Sequence, residues 1–396
     1  MARAAIDPVA LASALIRCPS VTPKEGGALG VLEQALEPLG FRCRRMPFES
    51  ENSPRVDNLF AVRGSANGRH LCFAGHTDVV PPGAATDWRQ DPFQPTIADG
   101  HLWGRGAADM KGAIACFAAA ASRFLAHQSD SFVGRISLLI TGDEEGPSVN
   151  GTKRMLETLA AEGERFDACV VGEPTNPERI GEMIKIGRRG SLTGYLTVHG
   201  VQGHSAYPHR ADNPVHHLLR MLARAIETPL DNGSDHFEAS TFQISTVDVG
   251  NPASNVIPAA AHATFNIRFN DRHTRAGLEK HLRALIDKEG ARYEIRFAGH
   301  GDAFLTPPGE FSTMLTDAVR TVTGIEPQLS TTGGTSDARF IKDYCPVAEF
   351  GMTGQTMHQV DERVSLADLA ALTQIYEALL DRFFADSAPG ASPPRC

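Results

Sequence analysis

No C-x-x-C pair occurs among the seven cysteines, Cys18, Cys43, Cys72, Cys116, Cys169, Cys345 and Cys396. That scatter excludes a thiolate zinc site and a disulfide framework, and suits reduced thiols in a cytoplasmic protein. Most of them read as small buried hydrophobes. Basic charge is also scarce: 38 Lys and Arg against 47 Asp and Glu leave a formal net charge of -9. Nucleic acid and anionic membrane are thereby excluded as partners, because both require a broad basic surface. An anionic ligand must be caught by a local basic cluster. No apolar run approaches the length of a membrane span. Residues 1–14 have no apolar run behind a basic start, and Asp7-Pro8 reads as a helix opening, so no signal peptide is expected.

What is present is a soluble-enzyme composition, 42% hydrophobic and 21% charged, in 396 residues. That length exceeds what one core usually holds and predicts two domains. Helical spacing of apolar residues predicts helices over residues 7–17 and 26–39, the second closing at Gly40. Strand-like runs follow at 41–46, 58–62 and 70–75. The third ends at Gly75 and presents His76 and Asp78 two residues apart, on the same side of an extended chain. The pair reads either as a polar strand cap or as a metal ligand with a carboxylate behind it. Pro-, Asp- and Gly-rich sequence containing Trp88 and Trp103 reads as ordered loop and ends at Asp109, before an alanine-rich helix over 113–126. Asp109 is either the N-cap of that helix or a carboxylate projecting into a site.

Two more buried-type strands carry acids at their ends. Residues 135–141 run into Asp143-Glu144-Glu145, and 166–171 deliver Glu173. Three consecutive acids after an apolar strand repel one another unless a cation or a shared proton relieves them. Strands alternating with helices predict an α/β fold with a mostly parallel sheet and helices on both faces, whose ligand sites lie outside the strands' carboxyl ends. Between residues 189 and 298 the pattern changes to four half-exposed strands (191–199, 241–249, 260–269, 292–297) and two helices (213–227, 274–288), an inserted α+β module. The α/β pattern resumes with a helix over 311–323 and a strand over 346–351 that leads to His358. The expected division is therefore a catalytic domain from residues 1–188 and 299–384, an inserted domain over 189–298, and a disordered tail over 385–396.

Two histidines and at least three carboxylates converge on one sheet edge. Mixed imidazole and carboxylate ligation suits zinc, cobalt or manganese, and the number of donors implies two ions sharing a carboxylate. Such a pair can hold a bridging hydroxide and polarise a carbonyl, as amide hydrolysis requires.

The motifs His76-Thr77-Asp78, Ala108-Asp109-Met110-Lys111-Gly112, Asp143-Glu144-Glu145-Gly146, Gly172-Glu173-Pro174-Thr175 and Met357-His358 resemble, in order, those of the M20 family of dinuclear zinc peptidases and deacylases. The resemblance covers nearly everything except the tail. It implies two zinc ions, with cobalt or manganese able to substitute: one held by His76 and Glu173, the other by Glu145 and His358, with Asp109 bridging. Asp78 would orient His76. Glu144 would be the general base and acid, taking a proton from the bridging water and protonating the leaving amine.

The inserted module resembles the family's lid and dimerisation domain, which implies a homodimer in which His204 reaches the partner's site and stabilises the oxyanion. Segments 184–191, 203–209 and 333–339 point within the family to a small dicarboxylate substrate and to cleavage of the succinyl amide of N-succinyl-LL-2,6-diaminopimelate. Arg188 and Arg268 are the guanidinium candidates for its carboxylates, joined by Tyr207, Asn255, Thr335 and the amide of Gly334. Lys185 and Arg189 are further cationic candidates. Gly354-Gln355-Thr356 departs from the Asn-Ala-Thr that close members often carry. Removal of an acetyl group from ornithine, an aminoacylase or dipeptidase activity, and a catalytically inactive metal-binding scaffold are the alternatives.

Overall fold

The computed structural model describes residues 5–128, 132–299 and 301–385. Ala385 caps the last helix, and the rest of the expected tail lies outside the described residues. The chain divides into two compact units. One comprises Met1–Ile186, Thr306–Ser330 and Ser336–Cys396, the other Gly187–Leu305 and Thr331–Thr335.

The first unit is built on an eight-stranded sheet. Its strands, in chain order, are β1 (Arg42–Arg45), β2 (Leu59–Gly64), β3 (His70–His76), β4 (Arg135–Thr141), β5 (Ala168–Val171), β6 (Met183–Lys185), β7 (Gln328–Ser330) and β8 (Val347–Glu349). The spatial order is β1-β2-β4-β3-β5-β8-β6-β7. Pairs β4/β3, β3/β5, β5/β8 and β6/β7 are parallel, whereas β1/β2, β2/β4 and β6/β8 are antiparallel. β3 and β5 are buried along their whole length, which is why they read as continuous apolar runs and not as alternating ones.

Gly112–His127 is a helix of small residues that packs against Leu366–Phe384 and Pro8–Ile16. Its alanines let the neighbouring backbones approach closely. Phe117 stacks on Phe73 of β3 at 4.5 Å between ring centroids, and buried Tyr376 donates its hydroxyl to the carbonyl of Phe350 at 2.6 Å. Asp7 caps the Pro8–Ile16 helix with a side-chain bond to the amide of Val9, and proline occupies its first turn.

The structure adds what periodicity did not predict. The segment read as ordered loop holds a small sheet in which Thr96–Ala98 and His101–Trp103 form a hairpin, joined by Arg363–Ser365 from the far end of the chain. Asp99 and Gly100 make its turn with φ of 50° and 73°, the left-handed pair that an Asp-Gly hairpin requires. Three-residue strands are too short to show a period, and the third partner is remote in sequence.

The second unit is α+β. Its antiparallel sheet has the order Thr241–Asp248, Ala260–Phe269, Gly190–His199, Tyr293–Gly299. Along Gly190–His199, buried and more exposed residues alternate from Leu192 onward, the signature of a sheet with one covered face. Helices Pro214–Glu227 and Arg275–Asp287 cover that face, bringing Leu218, Met221, Leu278 and Leu282 onto Leu196, Phe265 and Ile267. Asn213 and Thr274 cap them. Among the described residues no helix is long and apolar enough to cross a membrane.

Candidate metal centre

The carboxyl ends of β3, β4, β5 and β8 share one edge, and the chain turns there into the segments that carry the acids and imidazoles. His76 is the last residue of β3, paired in register with Thr141 at the end of β4. Gly172 and Glu173 follow β5, and the segment after β8 leads to His358.

At this edge Asp109 lies between the two imidazoles. Its Oδ1 is 3.1 Å from Nε2 of His76, and its Oδ2 is 3.1 Å from Nε2 of His358. Glu173 Oε1 lies 3.7 Å from the same His76 nitrogen, and Glu145 Oε1 lies 2.8 Å from that of His358. His76, Asp109 and Glu145 offer ligand atoms within 4.8 Å of one another, as do His76, Glu144 and Glu173. Two sets of one imidazole and one carboxylate, with a third carboxylate between them, is the donor chemistry of two neighbouring divalent ions.

The helix-cap reading of Asp109 does not hold. Helix Gly112–His127 begins after it, with no side-chain cap, and Asp109 itself is non-helical at φ -126° and ψ 96°. Its carboxylate is spent on the histidines.

Supporting groups hold this arrangement from beneath. Nδ1 of His76 donates to the carbonyl oxygen of Asp78 at 2.8 Å, which leaves Nε2 as the ring nitrogen that faces Asp109. The Asp78 carboxylate is 3.7 Å from that Nδ1. Its hydrogen bonds come instead from the amides of Glu144, 3.3 Å, and Glu145, 3.0 Å. Main chain therefore orients the ring, while the Asp78 side chain fixes the acidic turn against β3. Of the three consecutive acids, Asp143 faces inward and accepts from the amides of Val149 and Asn150, so Glu144 and Glu145 alone remain for the site. Gly75 and Gly172 flank Met110: a Cβ on either would come within 2.6 Å of its terminal methyl carbon. His358 has φ 62°, a left-handed conformation a non-glycine residue keeps only where its surroundings enforce it.

The electrostatics favour cations. Burial opposes a charge on His76, but the hydrogen bond and field of Asp109, with Glu173 and Glu144, raise its pKa well above the ordinary imidazole value. Hydrogen bonds to Asp109 and then Glu145 raise that of His358 to about 10. The carboxylates thus stabilise positive charge at both Nε2 positions, where a divalent ion would replace the protons. Burial, followed by the field of Glu173, pushes the Glu144 carboxyl well up.

Three groups beside these went unpredicted. Asp337, in the Gly333–Arg339 motif, is buried with a raised pKa caused by burial, and it adds to the field on Glu144. Lys111 is wholly buried, donates to the carbonyl of Cys18 at 2.9 Å, and has its pKa lowered to about 8 by burial. Arg105 and Glu362 form a buried ion pair at 2.7 Å. Charged residues give no periodic signal, so only their proximity to the motifs marked them.

The remaining predicted residues, Lys185 apart, belong to the second unit. There His204, Tyr207 and Asn255 share one loop cluster. The amide of Ser205 donates to Asn255 and that of Tyr207 to His204, at 2.9 and 2.8 Å, and the His204 and Tyr207 rings lie 5.6 Å apart. Arg188 reaches the carbonyl of Thr332 at 3.4 Å, next to the strip carrying Gly334 and Thr335. Arg268, on the strand Ala260–Phe269, has its pKa lowered by burial and by neighbouring Arg189. Lys185, in the first unit, bonds Ser330 at 3.3 Å.

Fold and site define an α/β protein whose parallel strands gather a donor set for two divalent metals. The chain belongs to the peptidase family M20/M25/M40, whose model matches residues 72–382. It is 57% identical over 386 residues to the succinyl-diaminopimelate desuccinylase of Parvibaculum lavamentivorans, covering 96% of this chain and 97% of that protein. To the protein of the same name from Rhodospirillum centenum it is 57% identical over 383 residues, covering 97% and 99%. Among solved structures, the aminopeptidase PepT of Bacillus cereus shares the fold with a TM-score of 0.77 at 18% identity, covering 95% of this chain and 98% of that one. A dinuclear metal-binding M20 peptidase from Bacillus subtilis does so with 0.67 at 14% identity, covering 94% and 96%.

Proposed function

We propose that the chain hydrolyses the succinyl amide of N-succinyl-LL-2,6-diaminopimelate, releasing succinate and LL-2,6-diaminopimelate, as a cytoplasmic homodimer in lysine and diaminopimelate biosynthesis. The observation that carries this reading is the likeness, over nearly the whole of both chains, to relatives named for that reaction. The donor geometry supports it. His76, Glu173 and Oδ1 of Asp109 would hold one zinc ion, and His358, Glu145 and Oδ2 of Asp109 the other, with cobalt or manganese able to substitute. When bound, these ions polarise the amide carbonyl and lower the pKa of the attacking water.

The protein's part is proton handling and orientation. Glu144 accepts a proton from the water as its oxygen adds to the amide carbon. When the carbon–nitrogen bond breaks, Glu144 returns that proton to the leaving nitrogen. Burial, and then the field of Glu173, raise its pKa and so make it a stronger base than an ordinary carboxylate. Asp78 keeps Glu144 and Glu145 in place through their amides. We assign oxyanion stabilisation to His204 of a partner copy, and the substrate carboxylates to Arg188 and Arg268, with Thr335, the Gly334 amide, Tyr207 and Asn255 as further contacts. An acetyl group would leave no distal carboxylate for those guanidiniums.

The test is turnover of N-succinyl-LL-2,6-diaminopimelate against N-acetylornithine by the zinc-loaded chain, with metal content measured on the same sample. The expected result is two ions per chain and preference for the succinyl substrate. Preference for N-acetylornithine would overturn the assignment.

A further inference from the structure

We propose that Glu362, paired with Arg105, is a positioning residue that sets the turn presenting Asp109 and ties it to the segment presenting His358. The inference rests on the reading above of Asp109 and His358 as metal ligands.

The turn between Gly104 and Gly112 is the reason such a residue is needed. Asp109 and Met110 are both non-helical, with φ of -126° and -133°. Within the turn, Ala107 donates to Gly104 at 3.1 Å and Lys111 to Gly106 at 2.9 Å. The amides of Gly106, Ala108 and Asp109 must find other acceptors, because a buried N–H left unpaired is strongly unfavourable. All three find Glu362. Its Oε1 accepts from Ala108 at 2.8 Å and Asp109 at 3.1 Å, and its Oε2 accepts from Gly106 at 3.0 Å. Arg105 completes the set with a bond from Nη1 to Oε2 at 2.7 Å. Four donors thus satisfy one carboxylate that is 1% exposed.

The same pair grips the second ligand segment. Nη1 of Arg105 also donates to the carbonyl of Gln359 at 3.1 Å, one residue past His358. The carbonyl of Glu362 accepts from Gly104 at 2.9 Å. The Arg105 guanidinium lies 5.1 Å from the centroid of the Trp88 ring, which fixes its plane. Asp109 is therefore held from behind through its amide by Glu362, while its carboxylate meets the two imidazoles in front. A buried ion pair adds little stability over apolar packing of the same volume, so a geometric duty is the better account of its presence. Groups that orient metal ligands in this way commonly control metal affinity.

The experiment uses the full chain stripped of metal and titrated with Co2+. Glu362→Gln keeps the volume but turns an amide donor toward amide donors. Expected are a Co2+ affinity lower by about 10- to 100-fold, an altered visible Co2+ spectrum, and a fall in kcat with KM within twofold of the parent. Glu362→Asp, with its carboxylate restored but drawn back, should recover part of the affinity. Parent affinity, spectrum and kcat in Glu362→Gln would overturn the proposal.

Should the variant fail to fold, amide hydrogen exchange of the parent decides. Protection of Gly106, Ala108 and Asp109 that rises on Co2+ binding supports the clamp, and unprotected exchange unchanged by Co2+ refutes it. Two bound Co2+ without cleavage of the succinyl substrate would sink the substrate reading alone, leaving the affinity comparison to judge Glu362. A parent that binds no Co2+ would sink the metal reading, and this inference with it.

Discussion

Replacing His70 with glutamine should remove one identifiable part of the acid sensitivity of the first unit. His70 opens β3 and is 2% exposed. Its Nδ1 lies 2.7 Å from the carbonyl of Arg165, which can only accept, so Nδ1 carries the proton and Nε2 accepts from the Ser137 hydroxyl at 2.8 Å. Burial lowers its pKa from 6.5 to about 4. Between these values the unfolded chain binds a proton at this ring that the folded chain does not. Stability is therefore complete above the unfolded pKa and falls as pH drops toward 4. At about 1.36 kcal/mol per unit, the loss from pH 6.5 to pH 5 is roughly 2 kcal/mol.

Urea unfolding of metal-free protein at pH 8 and pH 5 measures this. Both tryptophans, Trp88 and Trp103, lie in the same unit as His70, so intrinsic fluorescence follows the relevant transition. The gap in stability between parent and His70→Gln should narrow by about 2 kcal/mol from pH 8 to pH 5. A gap that stays constant would refute the reasoning, because it would mean that folding does not suppress protonation of the ring.

Three other outcomes are expected. Glu144→Gln should lower kcat by about 10²- to 10⁴-fold with metal content unchanged, read from steady-state turnover and elemental analysis of one preparation; full activity would exclude Glu144 as base. Gly172→Ala places a Cβ 2.6 Å from both Met110 and Phe73 and should destabilise the first unit by about 1–3 kcal/mol, visible in urea unfolding, with weaker metal binding. In the second unit, hydrogen bonds to Glu289 and then Asp212 raise the pKa of His217. Its contribution is full below the unfolded value and lost as pH rises through the raised one, so exchange in helix Pro214–Glu227 should quicken in alkali relative to a His217→Asn variant.

Legibility from sequence followed physical cause. β3, β4 and β5 could be read because buried parallel strands are uninterrupted apolar runs, and the acids or histidine that follow them stand out by contrast. The inserted module could be read because one-sided burial leaves alternation in its strands and 3.6-residue spacing in its helices. Asp109 could not be resolved, since a carboxylate ahead of a helix looks the same whether it caps the helix or turns away from it. Asp78 was read as the partner of the His76 ring, yet its side chain accepts from the amides of Glu144 and Glu145, a choice set by the path of another strand's loop. Arg105, Lys111 and Glu362 look like solvated charges in sequence and are among the most buried residues of the unit.

The buried strands β3, β4 and β5, the change of pattern near residue 189, and the placing of His76, Glu144, Glu145 and Glu173 at or after strand ends were determined by the sequence alone, through local burial patterns. What only the tertiary structure decided is which of those groups meet. Asp109, Glu145 and His358 are separated by 36 and 213 residues along the chain yet share atoms within about 3 Å of one imidazole. Periodicity reports whether a residue is buried. It carries no record of the partner on the other side, and that partner is supplied by loops of remote strands packed against one edge.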